Sequence, residues 1–283
     1  MTHGVHRQAQ VAALLNSPLG TYVVASVASG RQGRRGLSRL ELPFDVLETD
    51  SDACEADPAV LYELVLKCVV DLIPYSDDYR DRVTALATRA PTLREDAHRL
   101  VSSPAAESWF ADIKRTQQVW VSPANSTETP DPSRFAANLS PFGGDTPKPR
   151  AALWTATAVG SMPGGWSLYL RIGEDGRPPP YRLWRLEALP SARVFEVHGP
   201  DDWRALCLRY PGETREGRLL PDWQAVARDW DGVHLSIGGL LTTQRVVVDA
   251  GGRRAQLDGW DSESTVWLRW SFGLVERLPD SVE

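Results

Sequence analysis

Ten of the chain's eleven tryptophans lie at or beyond Trp120, and only Trp109 precedes them. A tryptophan needs a large apolar environment to cover it, so the main core must be built downstream of about residue 116. Residues 1–112 have to fold by another pattern, and that pattern is helical. Within Pro58–Ile73 the residues Val60, Leu61, Leu64, Val65, Cys68, Val69 and Leu72 recur at helical spacing, with Pro58 opening the run and Pro74 closing it. Asp78–Ala90 and Thr92–Ser102 read as further amphipathic helices, bounded by Pro91 and Pro104. The expected organisation is a helical accessory domain over 1–112, a proline-rich connecting region with a first strand over 113–150, and a tryptophan-rich domain over 151–283. No catalytic constellation is visible in 1–112. His98 sits among Arg94, Glu95, Asp96 and Arg99 and reads as a solvated helix-face residue.

The start of the chain is apolar from Val11 to Ser29, and Ala25-Ser26-Val27-Ala28 resembles a small-residue cleavage site. Asn16, Pro18 and Gly20 interrupt the apolar run, so a helix followed by a strand over Thr21–Ser29 is expected instead of a leader. No run approaches the roughly 20 apolar residues of a membrane span. The hydrophobic fraction of 42% suffices for a core, and the net charge of −6 argues against nucleic acid as a partner. Cys54, Cys68 and Cys207 form no CxxC pair, and none of the five histidines has zinc-ligand spacing with a cysteine. An odd number of scattered thiols suits a reducing, cytoplasmic compartment.

Downstream, Gln118–Ser122 reads as a strand, followed by a long stretch from Pro123 to Pro149 rich in proline and glycine. That stretch is either a linker or a mobile lid. Further strands are expected at Ala152–Thr157, Tyr181–Leu189, Ala192–His198, Gln244–Val248 and Ser264–Trp270. Pro163-Gly164-Gly165 turns the chain into the apolar run Trp166–Leu170. Pro200 opens a helix with Trp203, Leu206, Cys207 and Tyr210 on one face. From Asp222 to His234 the pattern is helix, tight turn, short strand. Asp222 stands at the N-cap, Trp223, Val226, Ala227 and Trp230 share one face, and Asp231-Gly232 makes the turn into Val233–Ser236. Many short strands with few helices indicate an α+β domain, mainly antiparallel, arranged as a split β-sandwich.

Three of these segments together resemble phage and bacterial relatives of the ADP-ribosyltransferases, over roughly 116–278. They are Lys148-Pro149 leading to Leu153-Trp154-Thr155-Ala156-Thr157, the helix leading to Asp231-Gly232-Val233-His234, and Gly259-Trp260-Asp261-Ser262-Glu263. Thr155-Ala156-Thr157 is similar to that family's Ser-Thr-Ser motif, and Asp261-Ser262-Glu263 resembles its Glu-x-Glu. The family's first-strand Arg has no counterpart: Trp120 occupies the centre of that strand, and Arg115 lies just before it. The resemblance implies NAD as substrate, with ADP-ribose passed to an unknown macromolecular acceptor or to water. It implies that Glu263 stabilises an oxocarbenium-like transition state and that Asp261, two residues earlier on an extended chain, activates the acceptor. Thr155 and Thr157 would hold the nicotinamide ribose or Glu263, and Trp154 or Trp166 would stack on the nicotinamide ring.

Each residue also has a plainer reading. Glu263 could be a solvated acid at a strand start, the threonines ordinary strand formers, and the tryptophans core. His234 either contacts a diphosphate or the acceptor, or is a half-buried strand residue bonded to Asp231; the second is preferred. Two functions therefore stand. One is an NAD-dependent mono-ADP-ribosyltransferase or NAD glycohydrolase. The other is a non-catalytic module on the same scaffold that binds a partner protein or sugar through exposed tryptophans. The first requires Thr155, Thr157 and Glu263 to converge.

Overall fold

A computed structural model describes residues 2–34, 57–72, 76–123, 128–134, 148–149, 152–160, 162–172, 180–214 and 217–280. Cys54 and most of the proline-rich stretch 123–149 lie outside the described residues. The chain divides into two compact units, Met1–Phe110 and Ala111–Glu283.

The first unit contains the helices α1 (Thr2–Leu15), α2 (Pro18–Arg34), α3 (Pro58–Asp71), α4 (Tyr79–Arg89) and α5 (Arg94–Val101). The expected strand over Thr21–Ser29 is instead the middle of α2. Its β-branched residues favour a strand locally, but Tyr22, Val23, Val24, Ala25 and Ser26 are all fully buried, and α2 touches α1, α3, α4 and α5. A segment apolar on every side is a central core helix, and that packing overrides propensity. α1 and α2 meet at 97°. Gly20 permits the corner, because a Cβ there would stand 2.5 Å from the Leu14 carbonyl oxygen. Among the described residues no single helix is long and apolar enough to cross a membrane. At α3 the Asp57 carboxylate accepts from the Ala59 N–H at 2.7 Å, with Pro58 at the first turn. The Asp71 carboxylate accepts from both the Tyr22 hydroxyl and the Arg82 guanidinium, tying α2, α3 and α4 together.

The second unit runs β1 (Gln118–Pro123), β2 (Leu153–Thr157), α6 (Gly165–Ile172), β3 (Tyr181–Ala188), β4 (Val194–Val197), α7 (Pro200–Arg209), β5 (Pro211–Glu213), β6 (Leu219–Pro221), α8 (Trp223–Asp229), β7 (Gly232–Leu235), α9 (Ile237–Thr243), β8 (Val247–Asp249), β9 (Arg254–Gln256), β10 (Ser264–Trp267) and β11 (Phe272–Arg277). One sheet has the order β11-β3-β1-β2-β10-β7-β4, and a smaller one the order β5-β6-β9-β8. Pairing is antiparallel except for β4 with β7 and β6 with β9. The unit is thus α+β with two sheets. The apolar run Trp166–Leu170 forms α6, and one sequence expectation is displaced: the strand expected at Gln244–Val248 begins only at Val247.

Register settles which residues share a face of the large sheet. Gln118 opposes Thr157, Thr155 opposes Thr265, Thr265 opposes His234, and His234 opposes Glu196. Since side chains alternate along a strand, Gln118, Trp120, Thr155, Thr157, Thr265, Trp267, His234 and Glu196 all point to one side. Val119, Trp154, Ala156, Val233, Val266 and Val197 point to the other. On the first side Trp120, Leu153, Leu186, Trp267 and Phe272 pack with Ile113 into an apolar cluster. α7 packs against both β4 and α9, and the first turn of α9 closes on the end of β4, where a Cβ on Gly239 would come within 2.1 Å of the Val197 carbonyl oxygen.

α8 forms as expected, with the Asp222 carboxylate accepting from the N–H groups of Gln224 and Ala225. Trp223 is 1% exposed, but Trp230 is only half-buried. The helix ends at Asp229 and Trp230 has extended backbone angles, so the tryptophan leaves the helical face. Its indole N–H donates to the Tyr210 hydroxyl at 2.9 Å and its ring meets Phe195 edge-on.

Candidate active site

Glu263 lies one residue before β10, and its carboxylate turns into the first face of the large sheet. It accepts from the Thr157 N–H at 2.9 Å, the Thr157 hydroxyl at 2.7 Å and His234 Nε2 at 3.0 Å. His234 is a β7 residue whose Nδ1 meets Glu196 Oε2, on β4, at 2.5 Å. With a carboxylate oxygen against each ring nitrogen, both nitrogens must carry protons, so the ring is an imidazolium. Burial opposes that charge, yet the hydrogen bonds that His234 donates to Glu196 and Glu263 push its pKa up to about 9. Two carboxylates and one imidazolium leave one negative charge in excess in a site where Glu263 is 3% and His234 2% exposed.

The chain of hydrogen bonds continues across β2 into β1. The Thr157 hydroxyl donates to Glu263 and accepts from Gln118 Nε2 at 3.0 Å. Gln118 Oε1 accepts from the Thr155 hydroxyl at 2.5 Å, which accepts from the Trp267 indole at 2.9 Å. Every donor has an acceptor along this line, and the Gln118 amide is oriented by it. Such a network is rigid, because an unpaired member in a buried site would cost about 1–3 kcal/mol. It presents a carboxylate surrounded by neighbours that donate to it and shielded from water. That is the electrostatic arrangement that stabilises a developing positive charge.

Of the residues expected from sequence, Glu263, Thr155, Thr157 and His234 are brought together. Trp154, Trp166 and Asp261 are not part of that group. Trp154 follows the alternation of β2 to the opposite face, where its ring lies edge-on to Trp260 at 4.9 Å and to Trp166 at 6.4 Å. Lys148 Nζ stands 5.9 Å and 5.7 Å from the Trp154 and Trp166 ring centroids and pairs with Asp261 at 3.1 Å. The expectation that these rings would stack on a nicotinamide beside Glu263 is therefore corrected: the sheet separates them from the acid. Asp261 and Glu263 do not share a side either, because the chain bends at Ser262 and Glu263 instead of running extended. The preferred partner of His234 is also corrected. The Asp231 carboxylate is taken by the Arg193 N–H at 2.7 Å and the Arg269 guanidinium at 2.8 Å, which leaves His234 to the two glutamates.

Three members of the chain, Glu196, Gln118 and Trp267, escaped sequence reasoning as site residues. Glu196 did carry a signal, since a lone acid in the middle of Val194-Phe195-Glu196-Val197 has to find a partner if the strand is interior. Gln118 carried none, because it faces Thr157 only once the β1–β2 register is known. None of the eleven tryptophans is exposed: six are buried, and Trp154, Trp166, Trp184, Trp230 and Trp270 are half-buried. Compared with protein-family models, with curated proteins and with solved structures, the chain matches none.

Proposed function

We propose that the chain is an NAD-consuming glycosyl-transfer enzyme, a mono-ADP-ribosyltransferase or NAD glycohydrolase, with an ADP-ribosyltransferase-like second unit. The supporting observation is the convergence of Glu263, Thr157, Thr155 and His234, from two strands and a strand mouth, on one face and in one hydrogen-bonded chain. In this reading the bond between nicotinamide and ribose breaks with its electron pair leaving on nicotinamide. The ribosyl oxocarbenium is captured by an acceptor nucleophile or by water, which gives up its proton. Glu263 is the catalytic carboxylate that meets the developing charge. Thr157 and His234 are positioning residues that hold it, and Gln118 and Thr155 hold Thr157. Trp154 and Trp166 have no role beside Glu263, and Asp261 anchors Lys148. A carboxylate 3% exposed meets substrate only when the residues above it move, so turnover includes an opening step.

A second reading is favoured by that same burial: the chain of bonds is a structural seam and the protein is a non-catalytic scaffold. The absence of any exposed tryptophan removes the surface through which such a module was expected to bind. Nicotinamide release from NAD by the full chain separates the two. The enzyme reading expects release by wild type and a loss of roughly two to three orders of magnitude in Glu263→Gln, measured where the variant is still folded. A folded wild type that neither binds NAD nor releases nicotinamide leaves the scaffold reading.

A further inference from the structure

At the β4 edge of the large sheet, Asp112, Glu196 and His198 bring one ligand atom each within 4.8 Å of one another. The arrangement around His198 is that of a metal-ligating imidazole. The Ser236 hydroxyl caps α9 by accepting from the Gly239 N–H at 3.0 Å, and its own proton points at the Val197 carbonyl at 3.4 Å. Ser236 Oγ, held in place by that cap, stands 3.1 Å from His198 Nδ1 and fixes the plane of the ring. Nε2 is then left facing Asp112 Oδ1 at 3.0 Å. A polar partner on the far nitrogen that fixes the ring is the kind of outer support a histidine ligand uses, and here it presents Nε2 toward Asp112.

Glu196 completes the set. Its Oε1 takes the Ile113 N–H at 3.3 Å, which orients the carboxylate, and its Oε2 holds His234. Three donors around one tetrahedral ion stand about 3.4 Å apart, against the 4.8 Å within which these three lie, and the Asp112 side chain, 80% exposed, has room to adjust. One imidazole and two carboxylates form a mixed nitrogen and oxygen set that suits zinc and its first-row neighbours better than calcium or magnesium. We propose that Asp112, Glu196 and His198 bind one divalent transition-metal ion, with zinc the fitting occupant and one coordination position left to solvent or ligand. The site does not depend on the NAD reading. It shares Glu196 with the His234–Glu263 chain, so occupancy would be felt there.

The test uses the full chain freed of metal by a chelator, then titrated with Zn2+ by calorimetry and with Co2+ by visible absorption. Asp112→Ala and His198→Ala are the variants, because Glu196 also serves His234. The expected result is one equivalent bound by wild type, an affinity at least about tenfold weaker in each variant, and unchanged melting of the metal-free variants. A wild type that takes up neither ion, or variants that bind as tightly as wild type, overturns the site.

Discussion

Replacing Glu263 by glutamine tests the buried chain independently of any activity. At a solvated strand mouth the change would leave stability untouched. Here the carboxylate is 3% exposed, accepts three hydrogen bonds, and offsets a buried imidazolium. Glutamine keeps the length and one oxygen, which can still accept from Thr157. Its NH2 group must then either replace Oε2 and face the Thr157 N–H, or replace Oε1 and face both the His234 N–H and the Thr157 hydroxyl, all of which donate in the native arrangement. Breaking one partner of a buried ion pair costs about 3–5 kcal/mol. His234 retains Glu196, so we place Glu263→Gln at the lower end, about 3 kcal/mol. In a unit of this size that corresponds to a fall of about 6–12 °C in melting temperature. Tryptophan fluorescence is the assay, because ten of the eleven tryptophans lie in the second unit and the signal reports on it selectively. Denaturant unfolding followed this way should show a lowered midpoint with an unchanged slope. A midpoint within error of wild type would refute the argument that the acid is buried and paired.

The pH dependence follows from the same chain. His234 is raised from 6.5 to about 9 on folding, so its stabilisation is complete below pH 6.5 and is lost as pH rises through 9. At about 1.36 kcal/mol per unit this amounts to something on the order of 3 kcal/mol across that window. Wild type should weaken between pH 6.5 and 9 by that much more than His234→Gln, and parallel stability profiles would contradict it. Trp223→Ala should cost about 3–5 kcal/mol, since the ring is 1% exposed. Trp230→Ala should cost clearly less, because that ring is half-buried outside the helix; equal losses in denaturant midpoint would sink the distinction.

What the sequence determined by itself was whatever depends on neighbours within a few residues. The cap at Asp222, the helix behind Pro58 and the helix behind Pro200 follow from local hydrogen bonding and periodicity, and they stand where they were expected. The tryptophan distribution likewise marked the region that builds the larger core. Thr21–Ser29 shows where local reasoning ends: its residues favour a strand, and burial on all sides made it a helix. The site lay further from view. Thr155, Thr157 and Glu263 were legible as candidates, but their grouping depends on antiparallel register across β1, β2, β10 and β7. A register shift of one residue would turn Thr155 and Thr157 away and bring Trp154 to the acid instead. Only the tertiary structure could decide that the threonines face Glu263 and Trp154 does not. It alone gave His234 to Glu196 and Glu263 over Asp231, because a hydrogen bond between residues 29 and 38 positions apart is set by strand pairing rather than by the segment that carries them.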